Sequence, residues 1–194
     1  MDQKEKDAML QKAYELGFQY ERDYRGCAQC AIGAMYDAMG IKNDEVYKAG
    51  SGLAGGGGEC TDGNCGGYTG ASMVMASFFG RTRDEEATED GRADKYVSFR
   101  MTRALHDKFE EKYGSVLCSG VQKAIYDGRH FDLRKDEDKE AFRAAGAHHD
   151  DDKCCMVVGD GARWGLELLL DEIEAQGKTL DDYRNPDGTQ KYEE

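Results

Sequence analysis

The sequence predicts an all-α protein, a compact bundle of about five to seven helices carrying a glycine-rich, cysteine-containing loop. Three observations predict it. The only proline, Pro186, lies close to the C-terminus, so no helix before it is broken by a pyrrolidine ring. Apolar residues recur at spacings of three and four through most of the chain, and no segment shows the alternation of a half-buried strand. Glycine makes up 25 of the 194 residues, well above the usual share of roughly 7%, and supplies the turns.

Each helix has its own signal. Leu10, Ala13, Tyr14, Gly17 and Phe18 mark an amphipathic helix over about residues 3 to 23. Cys27, Cys30, Ala31, Ala34, Met35, Ala38 and Met39 form the apolar face of a second, which Gly40 ends. Asn43 caps a short helix through Val46 and Tyr47, which leads into the stretch GLAGGGGECTDGNCGGYTGA. Asn64 then caps a helix carrying Tyr68, Ala71, Met75 and Phe78, stopped by Gly80. After a solvated connection from Arg81 to Asp90, Val97, Met101, Ala104, Leu105 and Phe109 mark a long helix ending near Gly114. Ser115 caps the next, with Cys118 in its first turn. Asp150, Asp151 and Asp152 open the last, whose stripe runs Cys155, Val158, Ala162, Gly165, Leu166 and Leu169, with Trp164 expected on its core side.

The length suits one domain, read as residues 1–176, with 127–152 a polar surface insertion and 177–194 a loosely held tail. A net charge of -13 repels phosphate backbones and anionic lipid, which argues against nucleic acid and membrane surfaces as partners. The polar N-terminus and the short apolar run near Met73 to Phe79 offer neither a signal peptide nor a membrane span. The reading is cytoplasmic. In that reducing compartment the seven cysteines, Cys27, Cys30, Cys60, Cys65, Cys118, Cys154 and Cys155, read as ligands or reactive thiols rather than as disulfides.

Cys27, Cys65, Cys118 and the Cys154/Cys155 pair each fall in the first turn of an expected helix. Free N–H groups and the positive end of the dipole favour a thiolate there. Were these helix starts to converge, they would suit an anionic iron–sulfur cluster. The glycines Gly55, Gly56, Gly57, Gly58, Gly66 and Gly67 would let backbone approach such a cofactor. The competing reading makes any one cysteine a small core hydrophobe, and Cys30 and Cys60 fit it best. Cys27 and Cys30 form a CxxC, but without the preceding strand of a thioredoxin motif. The glycine loop has neither the Gly-Lys-Ser/Thr ending of a P-loop nor a strand before it. His148 to Asp152 offers metal ligands of the kind zinc takes, but reads as an acidic surface loop ahead of a helix. His106 and His130 stand isolated.

These residues resemble the C-GCAxxG-C-C redox family of anaerobic bacteria and archaea. The resemblance is carried by Cys27-Ala28-Gln29, the Gly55 to Gly58 run, Cys65-Gly66-Gly67-Tyr68-Thr69-Gly70-Ala71, Phe109 through Ser115 to Cys118, and Cys154 or Cys155. It implies a helical, cysteine-ligated redox module, similar to the iron–sulfur domain of split-Soret cytochromes. The family cysteines correspond to Cys27, Cys65, Cys118 and one of Cys154 and Cys155. Gly67 stands where the family carries alanine, the other cysteines are extra thiols, and no Cys-x-x-Cys-His haem attachment is present.

Three functions compete at this level. The first is an electron-transfer protein with an iron–sulfur cluster on those cysteines, docking through its acidic surface on a basic redox partner. The second is a thiol–disulfide oxidoreductase using Cys60 with Cys65, or Cys27 with Cys30. The third is a zinc-binding structural or metal-handling module. Each is compatible with a homo-oligomer.

Overall fold

The computed structural model describes residues 1–192. They form eight α-helices: α1 (Gln3–Asp23), α2 (Cys27–Met39), α3 (Asp44–Ala49), α4 (Gly66–Phe79), α5 (Glu89–Tyr113), α6 (Cys118–Ile125), α7 (Asp136–Ala144) and α8 (Cys154–Ala175). Short 3-10 turns lie at Gly50–Leu53 and Leu180–Tyr183. The all-α expectation holds, and no strand occurs among the described residues. None of their helices is long and apolar enough to cross a membrane.

α1, α2, α4 and α8 pack on one another as the central bundle, and α5 lies across α4 and α8. Glycines set how closely the helices approach. A Cβ at Gly161 of α8 would stand 2.5 Å from the Gly67 carbonyl of α4. One at Gly159 would stand 2.9 Å from the Tyr14 ring of α1. Around these crossings Met35, Ala71, Met75, Leu105, Phe109, Leu166 and Leu169 are fully buried, the main apolar contribution to folding. Trp164 is half-buried, with its ring edge-on to Phe109 at 5.5 Å.

Helix starts differ from the sequence reading by one to four residues. Cys65, not Asn64, is the N-cap of α4, because Asn64 pairs in an isolated antiparallel bridge with Leu117. α6 starts from Leu117 rather than Ser115, whose hydroxyl accepts the Leu117 N–H at 3.0 Å. α8 begins at Cys154 instead of among the aspartates. α5 reaches back to Glu89, where the Thr88 hydroxyl caps it by accepting the Gly91 N–H at 3.0 Å.

Two segments expected to be peripheral are packed. The tail from Gly177 buries Leu180, Tyr183 and Gln190. The Gln190 amide donates to the Ser77 carbonyl at 2.9 Å and accepts the Tyr36 hydroxyl at 2.7 Å. Glu193 and Glu194 lie outside the described residues. The 127–152 segment builds a small aromatic core of its own, with Phe131, Leu133, Phe142 and Ala147 packed on Tyr126. Its composition is polar because only these few side chains turn inward.

Candidate functional site

Four helices begin at one cavity. α2 starts with Cys27, entered through successive left-handed residues Arg25 and Gly26. α4 is capped by Cys65, α6 starts with Cys118 and α8 with Cys154. All four cysteines line a cavity of about 150 Å³. The ends of those helices direct their positive dipole charge and free N–H groups toward its wall, a setting that favours bound negative charge.

The glycine loop forms one side. Gly55, Gly56, Gly57, Gly58 and then Glu59 all take positive φ, a run that side-chain-bearing residues rarely sustain. Its backbone bonds inward, from the Gly58 N–H to the Gly52 carbonyl at 2.9 Å and from the Gly63 N–H to the Gly56 carbonyl at 3.1 Å. The loop is then tied to the start of α6: Cys118 N–H donates to the Gly63 carbonyl and Ser119 N–H to the Thr61 carbonyl, both at 2.9 Å. Of the six glycines singled out in the sequence, only Gly55 lines the cavity. A Cβ at Gly66 would collide with the Cys27 sulfur, and one at Gly56 would sit 2.9 Å from the Cys118 Cβ. Gly67 belongs to the α4–α8 crossing, while Gly57 and Gly58 shape the turn in open space.

Three of the four sulfurs meet a donor. The Gly55 N–H points at Cys27 Sγ at 3.4 Å, and Gln122 Nε2 at Cys118 Sγ at 3.4 Å. The Tyr126 hydroxyl lies 3.7 Å from Cys154 Sγ. Cys65 makes no side-chain cap bond at the start of α4, where the nearby Gly67 and Tyr68 N–H groups only lower its thiol's upward shift. Gln122 is itself buried and accepts the Phe131 N–H at 2.8 Å, which ties the thiol to the 127–152 segment.

The sequence expectation that these positions favour free thiolates is reversed by desolvation. Burial pushes the Cys27 and Cys154 thiols well above their ordinary value, raises Cys118, and takes Cys65 to about 12. Nearby backbone N–H groups pull Cys27 and Cys65 back only in part. Burial outweighs one helix start here, so the thiols keep their protons unless a cation displaces them.

The other three cysteines are turned elsewhere. Cys155 is fully buried within the bundle, and burial takes it to about 11. Cys30 donates to the Arg25 carbonyl at 3.1 Å and opens on a separate tyrosine-rich groove with Tyr20, Tyr24, Tyr36 and Tyr47. Cys60 is half-exposed on the glycine loop. All seven are free thiols, and neither suggested pair shares the cavity. Among the described residues, no three His, Cys, Asp or Glu side chains are grouped to hold a metal ion as they stand.

Sequence reasoning missed much of the wall. Leu133, Lys139, Phe142, Arg143 and His148 of the 127–152 segment cover the cavity, so the expected surface insertion is its roof. Phe142 meets the His148 ring edge-on at 5.6 Å. Lys139 pairs with Glu59 of the glycine loop at 2.7 Å. Arg25 and Arg143 line the cavity with no ion-pair partner among the described residues. Glu21 was also missed. It lies on the same face of α1 as Leu10, Ala13 and Gly17, and is only 3% exposed. A charged residue continuing an apolar stripe was the available signal.

Fold and cavity define an all-α protein in which several helix starts converge on a thiol-lined chamber. The family comparison agrees: the model described as "Putative redox-active protein (C_GCAxxG_C_C)" matches residues 26–168. The chain belongs to this redox-active family. No curated protein and no solved structure matches the chain.

Proposed function

We propose that the protein holds an iron–sulfur cluster through Cys27, Cys65, Cys118 and Cys154 and passes electrons through it. One observation carries this reading: these four cysteines, each from the start of a different helix, line a single cavity. A polynuclear cluster spreads its thiolates over more than one metal ion, whereas zinc needs its donors drawn to one point. A cavity ringed by separate thiols suits the former.

The residues present fit such a group. Backbone and side-chain donors already face three of the sulfurs, as thiolate ligands require. Arg25 and Arg143, without an ion-pair partner among the described residues, bring positive charge to the wall of a chain whose net charge is -13. When bound, the cluster would supply one-electron exchange. The chain's own part is to bind it, exclude water beneath Phe142 and Leu133, and hold the sulfurs in hydrogen bonds that tune its potential. Raised thiols make poor nucleophiles, whereas a bound metal ion displaces the proton of a thiol it coordinates. The acidic surface suits docking on a basic redox partner, an association that weakens as salt rises.

The test is an ultraviolet-visible spectrum of protein purified without oxygen, with iron, acid-labile sulfide and zinc measured on the same sample. The expected result is visible absorption bleached by dithionite, with stoichiometric iron and sulfide. Both should be lost in Cys65→Ala and Cys154→Ala and kept in Cys155→Ala, Cys30→Ala and Cys60→Ala. Protein that stays colourless and iron-free after cluster reconstitution overturns the reading, and its zinc content then decides between a metal module and a thiol enzyme.

A further inference from the structure

A second cavity, of about 310 Å³, runs along α2 and shares no lining residue with the cysteine chamber. Cys30, Gly33 and Asp37 line it from α2, at the spacing of three and four that puts residues on one helix face. Gly33 is where the walls meet. A Cβ there would stand 3.4 Å from the Tyr47 ring and 3.7 Å from the Tyr20 ring, so rings from α3 and α1 flank bare backbone. Tyr24 adds a third ring, its centroid 5.7 Å from that of Tyr20. Gln29 Nε2 donates to the Tyr47 carbonyl at 3.2 Å and ties α3 to α2.

The charge in this groove is negative. Two carboxylates, Asp37 and Asp44, stand against one ammonium, Lys42, along the lining. The Asp37 carboxylate accepts the Tyr20 hydroxyl at 2.7 Å and has no ion-pair partner among the described residues. The nearby Lys12 ammonium donates to the Asp37 main-chain carbonyl instead, at 2.8 Å. Burial first, and then the bond to Asp37, push the Tyr20 phenol up to about 12. Burial, with Cys30 and Asp37 beside it, also raises Tyr47. Both rings stay uncharged, and the field that resists a phenolate favours a cation beside them.

We propose that this groove binds a small alkylated ammonium compound, its cationic head seated against Tyr20, Tyr24 and Tyr47 with Asp37 as the counter-charge. Tyrosine faces attract positive charge. An alkylated head carries that charge without N–H groups that need acceptors, so ring faces and one carboxylate meet its requirements. The volume of about 310 Å³ lies at the small end of ligand pockets, roughly 300–1,000 Å³, which fits a free small molecule. The site is separate from the cysteine chamber and does not depend on a bound cluster.

The experiment is equilibrium dialysis of the full chain with radiolabelled choline at constant ionic strength. Displacement by unlabelled choline is compared with displacement by 3,3-dimethylbutan-1-ol, its uncharged isostere. Wild type should bind choline saturably, one per chain, and the isostere should displace it at least about tenfold less well. Asp37→Asn and Tyr24→Leu should each weaken binding about fivefold or more. Both side chains are exposed, so both variants should keep wild-type helicity. Tyr96→Leu, at an exposed ring elsewhere on α5, should bind as wild type does. Absence of saturable binding overturns the proposal. Equal displacement by the isostere overturns it too, since the groove is then merely apolar, and this wild-type comparison decides even if a variant fails to fold. Full affinity in either folded groove variant, or an equal loss in Tyr96→Leu, overturns it as well.

Discussion

The backbone N–H of Gly55 donates to the Cys27 sulfur across 3.4 Å, joining residues 28 positions apart. The loop reaches that sulfur because its positive-φ run turns N–H groups inward. The Gly66 α-carbon closes on the same sulfur from the start of α4. Cys27 is therefore held between two parts of the same glycine-rich stretch, Gly55 and Gly66.

Gly66→Ala should destabilise the protein by roughly 1–3 kcal/mol, the usual cost of overpacking, and weaken metal retention. The added methyl collides with the Cys27 sulfur and lies 2.7 Å from the Ala28 backbone nitrogen. Gly57→Ala is the contrast: its φ is +84° but nothing lies within 4 Å, so strain alone should cost about 1–2 kcal/mol. Urea unfolding with iron analysis of both variants checks the difference.

Phe142→Ala should loosen the roof while the bundle stays folded, because Phe142 belongs to the small aromatic cluster and not to the main core. If truncation costs about 3 kcal/mol and acts on local opening, iron release to a chelator should accelerate on the order of 100-fold. Helicity by circular dichroism should change little.

In reduced protein stripped of metal, stability should fall as pH rises. Burial lifts the Cys65 thiol from 9.0 to about 12, so the folded chain keeps a proton that the unfolded chain has released. Stability from this group is complete below 9.0 and is lost toward about 12, at up to about 1.4 kcal/mol per pH unit. Urea midpoints measured upward from about pH 8 test this. Bound metal reverses the dependence, since ligation displaces the thiol protons and acid restores them.

Truncation after Gln176 should lower stability by about 4 kcal/mol, taking about 2 kcal/mol for each large apolar side chain lost from burial. Leu180 and Tyr183 are those side chains, and Tyr183 packs on Phe78 and Phe79 with ring centroids 5.2 and 5.8 Å away. Thermal unfolding of the shortened chain measures the loss. An unchanged midpoint would show the tail to be an ornament of the fold.

Much of the helical layout was legible in the sequence because helix signals are local. Periodicity located α1, α2, α4, α5 and α8, and Gly40, Gly80 and Gly114 marked three ends. The roof and the tail were not legible, since a few buried aromatics among many charges give no period. Phe131, Phe142 and Tyr183 acquire meaning only from the partners that distant segments bring to them.

By itself the sequence determined that the chain is helical and that cysteines stand at the starts of four helices, because backbone propensity and spacing act within a few residues. Tertiary structure alone decided that those starts meet, and that Cys154 lines the chamber while Cys155 is buried in the bundle. Successive helical residues point about 100° apart, and here Cys154 lines the cavity while Cys155 does not. Which one does is set by the rotation of α8 against its neighbours, where Gly159 and Gly161 fix the close approach. The same packing carries Glu21 and His148, far apart in sequence, to within 3.4 Å of each other at the cavity wall.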